Sequence, residues 1–86
     1  MQHIRRLPSS DEIIRAGMLV RSYPADRRHV VRTARMWNTS QDVIALLREF
    51  PAETVFKTRA DFVMRTQNMA AQIRQIWERP KQGRLL

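Results

Sequence analysis

The sequence predicts an all-α fold: three short helices and a longer C-terminal one, packed as a compact four-helix domain. Three observations lead there. Apolar residues recur at three- and four-residue steps in four separate stretches, the spacing of one helix face. A Ser, Thr or Asp precedes each stretch, at Ser9, Asp26, Thr39 or Ser40, and Thr58. Such side chains accept hydrogen bonds from the free amides at a helix start. Proline or a polar turn follows each stretch, at Pro24, Asn38-Thr39-Ser40, Pro51 and Pro80.

The elements follow in order. Residues 1–8 carry His3, Arg5 and Arg6 without periodicity and read as a flexible basic arm. Ser9 and Glu12 have capping-box spacing and open the first helix. Ile13, Ile14, Gly17 and Val20 fall on its apolar face. It should end near Ser22, because Pro24 disfavours helical geometry at Tyr23. The second helix runs from Asp26 to Trp37, with Val30, Val31, Ala34 and Trp37 inward. A three-residue turn leads to the third, Gln41 to Phe50, whose core positions are Val43, Ile44, Leu46, Leu47 and Phe50. Together these two make a central pair like a helix-turn-helix. Residues 52–57 connect, with Val55 and Phe56 tucked beneath, and no sheet is expected. Thr58 and Asp61 form a capping-box-like start for the last helix, Arg59 to about Glu78. Its seam is Phe62, Thr66, Met69, Ala70, Ile73 and Trp77. Residues 9–79 thus form one domain, and residues 80–86 a flexible tail.

Charge is the unusual feature. The 86 residues carry a net charge of +8, with 16 basic residues against 8 acids. All the basic residues except Lys57 and Lys81 are arginine. The guanidinium fork matches phosphate and carboxylate, which points to an acidic partner. Arginine-rich codon composition is the competing explanation of the excess. Five of the eight acids, Asp11, Glu12, Asp26, Asp42 and Asp61, sit at helix starts. There they oppose the local dipole, so the helix bodies should be strongly positive.

Several function classes find no support in the residues. Cysteine is absent, so there is no disulfide framework and no thiolate metal site. His3 and His29 are the only imidazoles, and neither a triad nor paired carboxylates can be read. With glycine only at 17 and 83 there is no phosphate loop. We therefore expect neither an enzyme nor a cofactor nor a bound metal. The longest apolar run, Val43 to Leu47, is too short to span a bilayer, and the N-terminal residues lack a signal-peptide core. The expected setting is cytoplasmic, without membrane contact.

Part of the chain resembles a known family. Tyr23-Pro24-Ala25 is followed by Val30-Val31 and Ala34-Arg35, then Asp42-Val43-Ile44, Leu46-Leu47, Phe50-Pro51, Phe56 and Asp61-Phe62-Val63. This order, from Leu19 to Met64, resembles the short bacterial proteins of domain-of-unknown-function family 2795. The family commonly has Gly-Ala in the turn, where this chain has Asn38-Thr39, and its last helix is shorter and less basic. The resemblance implies a compact helical domain and transfers no catalytic residue.

Two arginine-bearing faces stand out. Arg28, Arg32 and Arg35 recur at i, i+4 and i+7 and form a stripe along the second helix. On the last helix Arg65, Asn68, Gln72, Gln75 and Arg79 share one face, and no acid occurs from Phe62 to Trp77. Arg, Asn and Gln can bond phosphates or base edges; a solvated polar face is the plainer reading. The third helix exposes Asp42 and Glu49 beside Arg48, which makes it a poor recognition helix. Trp37 and Trp77 could stack on bases, but both fall on apolar seams and are expected in the core. Met36 and Met64 lie off the seams and suggest a second buried surface, such as a homodimer contact. The reading is a small non-enzymatic domain that binds nucleic acid, DNA more than RNA, in a regulatory role. The alternative is a protein-interaction module docking on an acidic protein surface.

One stability test comes from the sequence alone. Removing the Thr58 hydroxyl leaves the last helix without its cap, and Thr58→Ala should cost about 1 kcal/mol. An unchanged denaturation midpoint would place that helix start elsewhere.

Overall fold

The computed structural model describes residues 6–78. Its elements are α1 (Ser10–Leu19), β1 (Ala25–Asp26), α2 (Arg27–Met36), α3 (Gln41–Leu47), β2 (Val55–Phe56) and α4 (Arg59–Glu78). The four expected helices are present, around one core. Residues 1–5 of the expected arm, and Arg79 with the tail at 80–86, lie outside the described residues. The described part of the arm is docked. Leu7 packs against the core, Pro8 is buried, and the Arg6 guanidinium pairs with Asp42 at 3.1 Å.

α1 starts as its capping box requires. The Glu12 amide donates to Ser9 Oγ at 3.1 Å and the Ser9 amide to Glu12 Oε1 at 2.7 Å. The Ser9 amide chiefly, aided by the Ser40 hydroxyl, holds the Glu12 carboxyl below its ordinary range. A lowered folded pKa means that this contribution is present above the unfolded value and is lost as pH falls through the folded one. The helix stops at Leu19, short of Ser22, and Val20 turns extended into the core. The Tyr23 hydroxyl donates to the Gly17 carbonyl at 2.8 Å, satisfying one of the free C-terminal acceptors. Burial raises the Tyr23 phenol above its ordinary value. The buried arc is Ile13, Ala16, Gly17 and Val20. Ile14 lies a residue off that arc and stands exposed, contrary to the expected apolar face.

The absence of a sheet is corrected by one small ladder. β1 and β2 pair antiparallel, Ala25 opposite Phe56 and Asp26 opposite Val55. The Arg27 amide extends the pairing to the Thr54 carbonyl at 2.9 Å. The reason is backbone satisfaction. Ala25, Thr54 and Phe56 are buried between helices, and buried amides and carbonyls need partners. Side chains alternate across a strand, so Phe56 is fully buried while Val55 faces out, 47% exposed, rather than being tucked under.

Asp26 caps α2 by accepting from the His29 amide at 2.8 Å, and Ser40 caps α3 by accepting from Asp42 and Val43. Asn38 reverses the chain between them at φ 55°, a left-handed position that asparagine tolerates well. α3 ends at Leu47, before Phe50, which is still buried. The turn after α3 finds a partner from another element: Arg27 Nη1 donates to the carbonyls of Phe50 at 2.8 Å and Arg48 at 3.3 Å. At the start of α4, Thr58 Oγ1 accepts from the Asp61 amide at 3.0 Å. Asp61 reaches one residue further back than a capping box, to the Lys57 amide at 2.9 Å.

The two tryptophans correct the core expectation. Trp37 is 55% exposed and Trp77 is 42% exposed. Ala34 is the last covered position of α2, and the Asn38 turn then carries the chain away. α4 has twenty residues against ten in α1, so at about 1.5 Å per residue it outruns its neighbour. Ile73 is its last buried residue, and residues 74–78 are exposed on all sides. Thr66, on the seam, is fully buried with its hydroxyl unpaired among the described residues.

α1 and α4 meet at Gly17. A Cβ there would lie 2.9 Å from Phe62 Cδ2 and 3.3 Å from Cε2. Alanine is favoured over glycine in a helix by about 1 kcal/mol. Overpacking against a fully buried ring costs about 1–3 kcal/mol. Gly17→Ala should therefore lower the urea midpoint, and a raised midpoint would show that the Phe62 ring yields without loss.

Candidate nucleic-acid interface

The arginine stripe of α2 exists because α2 buries little. Only Val30 and Ala34 of its ten residues are buried, so most of the helix surface is left to polar side chains. Arg28, Arg32 and Arg35 are exposed along it, as the spacing predicted. None of the three side chains makes a hydrogen bond or ion pair to another described residue.

The tertiary structure enlarges this stripe into a concavity. Arg27, Arg28, Arg32, Arg35 and Arg48 surround Val31 and enclose about 320 Å³. Sequence spacing missed two of these. Arg27 sits at the first position of α2, off the stripe, and Arg48 comes from the end of α3. The hydrogen bonds from Arg27 to the carbonyls of Arg48 and Phe50 bring the two elements together. A hint was available in the sequence, since Arg27 precedes Arg28 and Val31 follows it at helical spacing. The approach of Arg48 has no local signal.

Every charged group among the described residues that line the concavity is a guanidinium. Each offers planar donors that bond two oxygens of one phosphate or carboxylate. Val31 is half-buried and supplies an apolar floor. The arrangement can hold oxyanions spaced along a chain.

The second expected face is only partly assembled. Asn68, Gln72 and Gln75 are exposed on α4, and Arg79 lies outside the described residues. Arg65 is engaged within the fold. Its Nη1 donates to the Val55 carbonyl at 2.9 Å and lies 3.5 Å from Asp61 Oδ2, and its guanidinium carbon is 5.2 Å from the Phe56 ring centroid. No residue of α4 lines the α2 concavity, so the two faces are not one pocket.

α3 does not suit the standard helix-turn-helix docking. Four of its seven residues, Val43, Ile44, Leu46 and Leu47, are buried, and Asp42 is paired with Arg6. Among the described residues, no helix is long and apolar enough to cross a membrane. No family model matches the chain, and neither a curated protein nor a solved structure does.

The arginines thus divide into two groups that stability measurements can separate. Arg65→Ala removes the partner of a backbone carbonyl and uncovers the Phe56 ring, and should cost about 1–2 kcal/mol. Arg32→Ala should stay within about 0.5 kcal/mol of the parent. Equal urea midpoints for the two variants would move Arg65 into the surface group.

Proposed function

We propose that this chain is a small non-enzymatic domain that binds nucleic acid, DNA in preference to RNA, in a regulatory role in the cytoplasm. The observation that carries this reading is the convergence of Arg27, Arg28, Arg32, Arg35 and Arg48 on one concavity. Packing energy does not account for a cluster of like charges, which repel one another in the free protein. A phosphate backbone relieves that repulsion. With net charge +8 the whole molecule attracts such a polymer at long range.

In this reading the α2 concavity grips phosphates and is indifferent to sequence. Asn68, Gln72 and Gln75 on α4, with Arg79, supply whatever base preference there is. Arg65 contributes through the fold, since its guanidinium is already engaged. The resemblance to domain-of-unknown-function family 2795 fits this reading, because it brings a helical frame and no catalytic residue. The competing reading is a module that docks on an acidic protein surface. The same guanidinium cluster favours it, because carboxylates fit the arginine fork as phosphates do.

Salt dependence distinguishes them. On duplex DNA, log affinity should fall with log salt by about 0.9 per phosphate contact. Arg28→Ala and Arg32→Ala should each reduce that slope by about one and weaken all sequences alike. Gln72→Ala should instead change which sequence is preferred. Anisotropy titrations over salt, with duplex DNA and single-stranded RNA, test this. Failure to bind either at low salt would leave the acidic-protein reading in possession.

A further inference from the structure

A partly apolar surface of α1 lies outside the arginine concavity of α2. Ile14 and Met18, one helical turn apart, are 40% and 60% exposed. With Asp11, Arg15 and Leu19 they line an open depression of about 460 Å³. A second depression of about 340 Å³ continues from it across Arg15 and Leu19 to Trp37 and the turn after α2. The two share Arg15 and Leu19, so they form one surface.

Its charge differs from that of the rest of the chain. The chain carries +8 overall, and the α2 concavity is lined by five arginines. The α1 surface instead holds Asp11 and Glu12 against one base, Arg15. Glu12 is engaged in the capping box. Asp11 and Arg15 are exposed and have no ion-pair partner among the described residues. They stand four residues apart on the face that carries Ile14 and Met18.

We infer that this surface takes a second copy of the same chain, docked about a two-fold axis with α1 antiparallel to its mate. Each Arg15 then faces the other copy's Asp11, as an isologous contact requires. Ile14 lies beside the axis, and Met18 and Trp37 extend the apolar contact outward from it. Charge selects the occupant. A strongly acidic partner is drawn to the arginine face, whereas Asp11 and Arg15 are complementary to themselves, so a second +8 chain meets opposite charges at this surface. The geometry is also compatible with binding elsewhere. Trp37 follows Arg28 by nine positions, about half a turn around α2 at roughly 100° per residue. A dimer formed here leaves both arginine concavities facing outward.

Sedimentation of the full chain without nucleic acid tests this apart from the proposed function. Runs should span about 1 μM to about 1 mM, since a contact of this size holds weakly. They belong in moderate salt, which screens the net repulsion. The apparent mass should double with concentration. Met18→Glu should weaken association at least about tenfold, with an unchanged circular dichroism spectrum. Asp11→Arg and Arg15→Asp should each weaken it, and the two together should restore it. A monomer throughout the range would overturn the inference. So would a dimer indifferent to the charge swap, which remains decisive if Met18→Glu fails to fold.

Discussion

Phe56 is the residue on which the layers of this domain meet. It is fully buried in a two-residue strand, where a helix-based reading expects only a connection. Its ring stands edge-on to Phe50 at 5.4 Å and to Phe62 at 5.1 Å, joining the end of α3 to the first turn of α4. Its backbone pairs with Ala25, which fixes the entry to α2. Phe62 in turn leaves no room beside Gly17, which sets how closely α1 lies on α4. Burying such a ring is worth roughly 1.5–3 kcal/mol, and each edge-to-face pair adds about 0.5–1.5 kcal/mol. In a chain of this size that is a large share of the net stability.

The strand pairing has a consequence for the arginines. Holding Ala25 and Asp26 against β2 positions Arg27 beside the end of α3. There it caps free carbonyls and widens the cationic stripe of α2 at once. Arg65 is drawn the other way, over the Phe56 ring and onto the Val55 carbonyl. Arginine therefore does two jobs here. Arg27 and Arg65 donate to backbone carbonyls of other elements, while the side chains of Arg28, Arg32 and Arg35 contact no other described residue through a hydrogen bond or ion pair.

The charge pattern and the packing pattern support each other. Asp26, Ser40 and Thr58 each satisfy free amides at a helix start, and the body of α2 carries no acid. The exposed apolar residues are also distributed unevenly. Ile14, Met18 and Trp37 lie at the surface that Asp11, Glu12 and Arg15 also line, while Met36, Val55, Met64, Ile76 and Trp77 are exposed elsewhere. The arginine concavity has only Val31 at its floor. The two surfaces thus differ in chemistry: one lined by α1 with acids and a base around apolar residues, the other by the arginines of α2 and Arg48.

Sequence alone determined the helical frame, because its signals are local. A capping box at Ser9 and Glu12, an Asp cap at 26 and a Thr cap at 58 act within one turn. The spacing of Arg28, Arg32 and Arg35 likewise needs only the helix period. Tertiary structure decided what depends on distant partners. Whether Trp37 and Trp77 are covered depends on how far neighbouring helices reach, and periodicity carries no information about where a seam runs out. The β1–β2 ladder arises between segments some thirty residues apart, each too short to signal a strand by itself. Arg48 joins the cationic concavity, and Arg65 turns back into the fold, for the same reason. A guanidinium on a long side chain goes to whichever carbonyl, ring or carboxylate the packing brings within reach, and that choice is made only when the chain is folded.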